Sequence, residues 1–122
     1  MPPHPERMTR EHRLRRGSDF EAVKQRGAAF RGRHCVLVAL VNQGEPTRLG
    51  VVASRRSVGD AVRRNRARRR LREIVRRRWP GLPHEGWSLM FVAYGSAVRA
   101  SHEDLVEDVM RLLLQAGVVT PR

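Results

Sequence analysis

The sequence predicts an α+β fold, an α/β sandwich whose elements follow the order α-β-β-β-α-β-α around a sheet of about four strands. Two β-branched apolar segments, residues 34–41 (HCVLVALV) and 48–54 (RLGVVAS), are separated by turn-forming residues. Residues 61–78 (AVRRNRARRRLREIVRRR) contain no proline or glycine and carry apolar residues at helical spacing. Residues 87–94 (WSLMFVAY) are almost continuously apolar, which is typical of a strand buried on both faces.

The chain is predicted to begin with a basic, flexible arm over residues 1–16, followed by a short helix. Ser18 opens a run of the S-x-x-E form that is typical of a capping box, and Gly27 is a suitable C-terminal stop. These signals bracket a helix of about nine residues, in which Phe20 and Val23 share one face.

Three strands are predicted to follow this helix. Residues 28–31 form a short strand, and residues 34–41 and 48–54 form two longer ones, with residues 42–46 (NQGEP) as the turn between them. Consecutive strands that are joined by short turns favour an antiparallel meander.

The basic segment 61–78 is predicted to be an amphipathic helix. Ten of its residues are arginine, and only Glu73 is acidic. On a helical wheel the apolar residues share one face, which is formed by Ala67, Leu71, Ile74 and Val75, with Ala61 at its margin. The roughly opposite face carries Asn65, Arg69, Arg72 and Arg76, with Arg66 beside them. A disordered basic tail would not need the apolar stripe, so the charge is expected on one face of a folded helix.

The remaining residues predict one more strand and one more helix. Residues 80–86 (PGLPHEG) break the basic helix, and the apolar strand 87–94 follows. Ser101 opens a last helix that carries acidic residues in its first turn and ends near Gly117. The sequence therefore predicts a single α/β domain over residues 17–117 and a short tail over residues 118–122.

The net charge limits the class of partner. The formal net charge is +13, with a sequence pI of about 11.8, and charge of this size is usually retained where a polyanion neutralises it. Nucleic acid is the first expectation, and an anionic membrane surface is the second. The sequence has no apolar run long enough to span a bilayer and no signal-peptide pattern. Cys35 is the only cysteine, which fits a reducing, cytoplasmic location.

Catalysis by the side chains of this chain is not expected. The five histidines are scattered without metal-ligand spacing, and Cys35 lies in an apolar strand, where a buried core thiol is expected rather than a nucleophile. The last helix carries a cluster of carboxylates, formed by Glu103, Asp104, Glu107 and Asp108. Compensation of the helix dipole and pairing of Glu107 or Asp108 with Arg111 are expected there, and a magnesium or nuclease site is the alternative. The sequence is therefore interpreted as that of a binding protein without catalytic or metal-ligating residues.

The composition also narrows the mode of binding. Aromatic residues make up only 5% of the chain, which is too few for a platform on which bases stack. A helix that carries asparagine and arginine could enter a DNA major groove, but strands flank this helix on both sides, so no helix-turn-helix is expected. Recognition of folded RNA through its phosphates and shape is therefore favoured.

Three segments, in their order along the chain, resemble the protein subunit of bacterial ribonuclease P. Residues 63–73 (RRNRARRRLRE) resemble the family's basic helix with its R-N-R core, and residues 50–62 (GVVASRRSVGDAV) resemble the strand and loop that precede it. Residues 13–23 (RLRRGSDFEAV) resemble the family's opening, in which an R-L pair is followed by D-F and V. The resemblance extends over approximately residues 13–114.

This resemblance implies a fold, an activity and a set of partners. The implied fold is ribosomal protein S5 domain 2-like, with the basic helix in a left-handed β-α-β crossover. The chain would be the accessory subunit of ribonuclease P, the endoribonuclease holoenzyme that removes the 5′ leader from precursor tRNA. The RNA subunit performs the hydrolysis with Mg²⁺ that it binds itself, so no cofactor is expected on the protein alone. One monomeric protein is expected for each RNA subunit, and no membrane partner is expected.

The resemblance also implies roles for particular residues. Those expected to bind the catalytic RNA subunit are Arg64, Asn65, Arg66, Arg68, Arg69 and Arg72. In the family the leader lies in a cleft between a helix and the sheet, and the residues matched to that cleft are Phe20, Val38, Ser54, Arg55 and Arg56. Many members carry aromatic residues where this chain has Lys24 and Val38, so a mainly electrostatic grip on the leader is expected.

Three other interpretations remain open at this point. A ribosomal or ribosome-assembly protein would be equally small and basic, but the ordered D-F and R-N-R segments argue against it. A DNA-binding or nucleoid protein would prefer duplex DNA to structured RNA. A cationic protein of the membrane surface is the third, and the apolar strand 87–94 argues for a folded domain instead.

Overall fold

The computed structural model describes residues 8–120. Its helices are α1 (Gly17–Arg26), α2 (Arg55–Val58), α3 (Ala61–Arg78) and α4 (His102–Gln115). Its strands are β1 (Ala28–Arg31), β2 (Cys35–Pro46), β3 (Arg48–Val52) and β4 (Glu85–Ala93). Short 3-10 turns occur at Arg10–His12, Trp79–Gly81 and Gly95–Val98. Apart from these turns and the single-turn helix α2, which lies in a predicted loop, the order α-β-β-β-α-β-α is confirmed.

The four strands form one mixed sheet in the order β1-β2-β4-β3. β2 is antiparallel to both β1 and β4, whereas β3 is parallel to β4. The predicted meander is therefore correct for β1 and β2 but wrong for β3, because β4 inserts between β2 and β3. A strand as apolar as β4 is buried best with a neighbour on each edge. The chain reaches β4 from β3 through α3, in a β-α-β crossover between adjacent parallel strands.

Side chains on alternate positions of the strands enter two separate clusters. On one face, Leu37, Ala39, Leu49, Val51, Leu89 and Phe91 join a main core beneath α3 and α4. On the other face, Val38 and Met90 pack against Val23 of α1 and against Leu14. The prediction that the last strand is buried on both faces is confirmed, since Leu89 is fully buried and Met90 is 6% exposed.

The start of α1 differs from the prediction. Arg16 is the N-cap residue, without a side-chain cap, and Ser18 lies inside the first turn, so the predicted capping box is wrong. The carbonyl of Arg16 already accepts the N–H groups of Asp19 and Phe20, at 3.0 and 3.2 Å, which starts the helix before Ser18. Gly27 ends the helix, as predicted.

The connection between β2 and β3 also differs from the prediction. β2 extends to Pro46, so residues 42–46 belong to the strand and do not form the turn. The pairing of this extension with β4 is irregular between Asn42 and Pro46. Gly44 has a φ of 84° within it, a conformation that favours glycine. The chain changes direction at Thr47, whose N–H donates to the carbonyl of His84 at 2.9 Å.

Both ends of the described chain contact the folded body. Residues 1–7 of the predicted arm lie outside the described residues, but within residues 8–16 Leu14 is only 7% exposed. Its N–H donates to the carbonyl of Leu49 at 2.9 Å. At the other end, Gly117 has a φ of 80° just after α4, as suits a helix stop, and Val118 is 4% exposed in the main core. Of the helices in residues 8–120, none is long and apolar enough to cross a membrane.

Candidate nucleic-acid interface

Helix α3 presents the candidate site because one of its faces is buried. Asp60 caps the helix, with its Oδ1 accepting the N–H of Arg63 at 2.9 Å. The four residues predicted for the apolar face are at most 1% exposed, namely Ala67, Leu71, Ile74 and Val75. Burial of this face directs the arginines to the remaining surface of the helix, which confirms the amphipathic pattern of the sequence.

The first half of α3 forms a shallow concavity of about 410 Å³. It is lined by Val62, Asn65, Arg68, Arg69 and Arg72. Arg68 donates a hydrogen bond to Oδ1 of Asn65, which leaves the amide NH₂ group of Asn65 to serve as a donor. Val62 is 75% exposed and gives the concavity an apolar wall. Four of the six residues predicted to bind RNA therefore lie together.

The other two predicted residues, Arg64 and Arg66, are placed differently. Arg64 is half-buried, and its Nε atom is buried without a hydrogen-bond partner in residues 8–120. Arg66 is exposed, and its Nε donates to the carbonyl of Val98 at 3.0 Å. Neither side chain lines the concavity formed by Asn65 and its neighbours.

Arg70 fastens α3 to the 3-10 turn Gly95–Val98. Its guanidinium donates to the carbonyls of Ala97, Val98 and Ala100, at distances of 2.9, 3.0 and 2.5 Å. Burial lowers the pKa of Arg70, and the nearby charge of Arg66 lowers it further. The donors of Arg70 are therefore used by carbonyls within the protein, and this side chain is less available to a partner than its neighbours on the helix.

A second, larger groove lies beside the concavity and follows the rest of α3. Its volume is about 650 Å³, and it is lined by Met8, Arg13, Arg66, Arg69, Arg70, Arg72, Glu73 and Arg76. Glu73 is its only carboxylate among the described residues. The hydrogen bond from Arg76 holds the pKa of Glu73 at about 2, and Arg77 adds to the effect. Burial lowers the pKa of Arg72, with further contributions from Arg13 and Arg68.

Sequence reasoning missed part of this second groove. Arg76 lies on the charged face that the helical spacing of the sequence predicts, although it was not assigned to RNA binding. Arg13 and Met8 come from the start of the chain, far from α3 in sequence. No pattern within α3 points to them, because only the folding of the chain brings these segments together.

The cleft residues matched by resemblance surround α1 and the end of β3. Phe20 is half-buried and packs into the cluster of Leu14, Val23, Val38 and Met90. A Cβ atom added to Gly50 would lie 2.5 Å from Cε1 of Phe20 and 3.0 Å from Cδ1 of Leu14. The close approach of the Phe20 ring to β3 therefore requires glycine at position 50.

Val38 is 8% exposed and lies beneath α1, where a Cβ atom on Gly27 would come within 2.8 Å of its Cγ1. The structure leaves three other valines half-buried on the same face: Val36, Val52 and Val92. Val92 pairs with Val36 on one side and with Val52 on the other, so the three form a row across the sheet. This row lies on the apolar face of the sheet that packs against α1.

Ser54, Arg55 and Arg56 follow the end of β3. The Ser54 hydroxyl accepts the N–H of Ser57 at 3.0 Å and caps α2. Arg55 and Arg56 form the first turn of α2 and are exposed. The structure thus brings two cations to the end of the strand that contributes Val52 to the sheet.

Two of the groups considered for catalysis, Cys35 and Asp108, are buried inside the protein. Cys35 is fully buried, and burial followed by the nearby Asp108 raises the pKa of its thiol well above the usual range. Asp108 is 2% exposed and accepts a hydrogen bond from Arg111 at 2.8 Å, which confirms the expected pairing. In residues 8–120, no group of three or more histidine, cysteine, aspartate and glutamate side chains could hold a metal ion.

The fold and the surface of α3 define a class of protein: a small, strongly basic α/β domain suited to nucleic-acid binding. A family model described as Ribonuclease P matches residues 8–117. The chain is 39% identical to the ribonuclease P protein component of Chloroflexus aggregans, over 93% of this chain and 83% of that one. It is 36% identical to that of Symbiobacterium thermophilum, over 92% and 96%.

Solved structures show the same likeness. The RNase P protein from Thermotoga maritima is 28% identical, with a TM-score of 0.73 over 84% of this chain and 96% of that one. The RNase P protein of Staphylococcus aureus shares the fold, with a TM-score of 0.77 at 22% identity, over 89% and 98%. The chain belongs to the family of bacterial ribonuclease P protein components. Membership in this RNA-processing family leaves the ribosomal, DNA-binding and membrane-surface interpretations without support.

Proposed function

We propose that this chain binds the RNA subunit of ribonuclease P through the exposed face of α3 and holds the 5′ leader of precursor tRNA in the cleft beside α1. It thereby assists the endonucleolytic removal of the leader that yields the mature 5′ end. One monomeric protein acts with each RNA subunit. The RNA subunit performs the hydrolysis, and the Mg²⁺ that this requires is bound through the RNA.

The observation that carries the proposal is the one-sided charge of α3. Four fully or almost fully buried residues hold one face of the helix against the main core. The exposed side offers Asn65, Arg69 and half-buried Arg68 and Arg72 within a single concavity. Arginine donates in a planar fork that matches phosphate oxygens, and asparagine adds a donor of defined direction. Such a surface suits a folded RNA, whose phosphates lie close together.

The cleft supports the second half of the proposal. Phe20 borders it, the valine row provides an apolar floor, and Arg55 and Arg56 supply cations at one end. Arg31 lies opposite Val36 in the β1–β2 pair, so a further cation is next to the row. Because the floor is aliphatic and the cations are at its margins, the grip on the leader is mainly electrostatic and tolerates changes of leader sequence.

The protein acts as an accessory subunit without a catalytic group of its own. Cys35 is buried as a thiol, and Asp108 is enclosed by hydrogen-bond donors. The contribution of the chain is to neutralise phosphate repulsion between the RNA subunit and its substrate. That contribution matters most when Mg²⁺ is scarce, because counterions then screen the phosphates poorly.

The experiment is cleavage of precursor tRNA by a bacterial ribonuclease P RNA at low Mg²⁺, with and without this chain. We expect the protein to restore removal of the leader at the correct site. The double variant Arg69→Ala, Arg72→Ala should weaken the rescue by about tenfold or more, because both arginines line the concavity and each contributes charge-assisted hydrogen bonds. A substrate with a long leader should gain more from the protein than one with a single leader nucleotide.

Arg26→Ala is the matched control. Arg26 is exposed at the end of α1, beside residues 40–43 of β2, away from α3 and from the valine row. It should rescue as well as the unmodified chain. Broad binding of RNA without rescue of several ribonuclease P RNAs would contradict the proposal. An equal gain for long and short leaders would contradict only the part of the proposal that concerns binding of the leader.

A further inference from the structure

The N-terminal strap, residues 8–14, crosses the protein beside the second half of α3. At its start, Met8 is half-buried against the main core. A tight turn follows, in which the N–H of Thr9 donates to Nδ1 of His12 at 2.9 Å. The N–H of His12 donates in turn to the carbonyl of Thr9 at 3.0 Å. The strap therefore has a defined local conformation and contacts more than one element of the body.

Two anchors hold the strap on either side of Arg13. The imidazole of His12 contacts the indole of Trp79, with ring centroids 5.1 Å apart and planes tilted by 47°. Trp79 is only 2% exposed and follows the last residue of α3. On the other side, Leu14 is buried between β3 and α1, and its N–H donates to the carbonyl of Leu49 at 2.9 Å. Arg13 itself bridges to Leu49 through its backbone.

These anchors fix the origin of the Arg13 side chain at the wall of the larger groove. The side chain is exposed and lines the groove with Arg69, Arg72 and Arg76. Arg13 lies close enough to Arg72 to lower the pKa of its guanidinium. In the described chain, Arg13, Arg69 and Arg72 have no hydrogen-bonded or ion-paired side-chain partner. Three cations therefore converge in the groove, and Glu73, the carboxylate that the described residues place in its lining, is already paired with Arg76 and Arg77.

The groove continues the concavity around Asn65. Arg69 and Arg72 line both, so the two sites form one cationic track along α3. From Asn65 to Arg76 the helix rises about 16 Å. This is about the length of five phosphates along one strand of a double helix, at ~3.4 Å of axial rise each. Glu73, the one carboxylate that residues 8–120 contribute to the groove, is neutralised by Arg76 and Arg77, at 2.5 and 3.2 Å.

We propose that the N-terminal strap is part of the RNA-binding surface, and that Arg13 binds the phosphodiester backbone of the RNA subunit in the groove between the strap and α3. His12 and Leu14 act as positioning residues, since they hold Arg13 opposite Arg72. The contact extends the interface beyond the R-N-R segment and makes it a composite of two distant parts of the chain.

This inference rests on the proposed function, so its test measures binding of the ribonuclease P RNA subunit alone, without precursor tRNA. The full chain and its variants are compared across a series of salt concentrations. Arg13→Gln removes the charge and keeps a side chain of similar length, and Arg13→Glu reverses the charge. We expect Arg13→Gln to weaken binding by about fivefold to tenfold and Arg13→Glu to weaken it further. The slope of log affinity against log salt should become shallower by about 0.7 to 0.9 for the lost phosphate contact.

Arg26→Gln is the matched control, because it removes an exposed arginine from the opposite side of the sheet. His12→Ala removes the ring contact with Trp79 without changing Arg13. It should weaken binding less than Arg13→Gln while the thermal melt shows a folded protein. The inference is overturned if Arg13→Gln and Arg13→Glu match the control in affinity and in salt slope while the unmodified chain binds. Failure of the unmodified chain to bind would instead overturn the proposed function.

Discussion

Asp108 joins the last helix to the turn between β1 and β2. Its carboxylate accepts the N–H groups of Arg33 and His34, both at 2.8 Å. It also accepts hydrogen bonds from Arg111 at 2.8 Å and from the thiol of Cys35 at 3.5 Å. A Cβ atom on Gly32 would lie 2.5 Å from Oδ1 of Asp108, so the turn can approach the carboxylate only with glycine there. The acidic cluster of the sequence thus contains one structural residue, and three of its four donors, Arg33, His34 and Cys35, lie far away along the chain.

Replacing Asp108 should destabilise the protein. Asp108→Ala leaves two part-buried N–H groups without an acceptor, and we expect the free energy of unfolding to fall by about 3 kcal/mol. Urea denaturation at neutral pH measures this change. Glu107→Ala is the control, because Glu107 is exposed on the same helix and should change stability by less than about 0.5 kcal/mol. Equal effects of the two substitutions would contradict the structural role.

The carboxylate of Asp108 should also make the stability of the protein depend on pH. Burial by itself would raise the pKa of Asp108, but the N–H groups of Arg33 and His34, together with Arg111, outweigh it and lower the pKa below its ordinary value of 3.8. A group whose pKa is depressed by folding stabilises the folded state above the unfolded pKa. That stabilisation is lost as the pH falls through the folded pKa. The stability difference between the unmodified chain and Asp108→Ala should therefore shrink below about pH 3.8.

At the scale of elements, the arginines of α3 divide into two functions. Arg70 holds the helix to the 3-10 turn Gly95–Val98 and to Ala100 just after it, through three carbonyls, whereas Arg69 is exposed in the cationic track. Adjacent residues on a helix point about 100° apart, so neighbouring arginines reach different surroundings. The amino-acid composition of α3 alone does not distinguish these two functions.

This division predicts opposite phenotypes for two neighbouring substitutions. Arg70→Ala should lower the free energy of unfolding by about 1–3 kcal/mol, because carbonyls of the 3-10 turn lose their donors. Arg69→Ala should leave stability within about 0.5 kcal/mol but weaken binding of the RNA subunit. Thermal denaturation and a binding titration on both variants distinguish the two roles. A loss of affinity without loss of stability for Arg70→Ala would assign Arg70 to the RNA interface instead.

At the scale of the whole molecule, the net charge of +13 opposes folding through repulsion between arginines. Ten of these arginines lie on one helix, whose single acid already pairs with Arg76 and Arg77. A polyanion that binds only the folded surface removes this repulsion and stabilises the protein by mass action.

Polyanions should therefore raise the melting temperature more than simple salt does. At a polyphosphate concentration about 100 times its Kd, we expect stabilisation of about 2.7 kcal/mol. Sodium chloride at the same ionic strength only screens the charges and should have a smaller effect. Calorimetry in the two solutions makes the comparison. Identical melting temperatures would show that the charges are screened generally, without a bound polyanion.

Some features of this protein follow from its sequence alone. Ala67, Leu71, Ile74 and Val75 recur at helical spacing, and this local period determined both the existence of α3 and which side of it is buried. The apolar run 87–94 determined a strand covered on both faces, and the arginine content determined the class of partner. These features are local because they depend on residues within a few turns or strand positions of one another.

Other features were decided only by the tertiary structure. The insertion of β4 between β2 and β3, the meeting of Asp108 with Arg33 and His34, and the approach of Arg13 to Arg72 each join segments that are distant in sequence. Hydrophobic patterning specifies which face of an element is buried, but many partners satisfy the same face. The choice among them depends on the packing of the whole core. This packing places the N-terminal strap, with Arg13, beside the exposed arginines of α3.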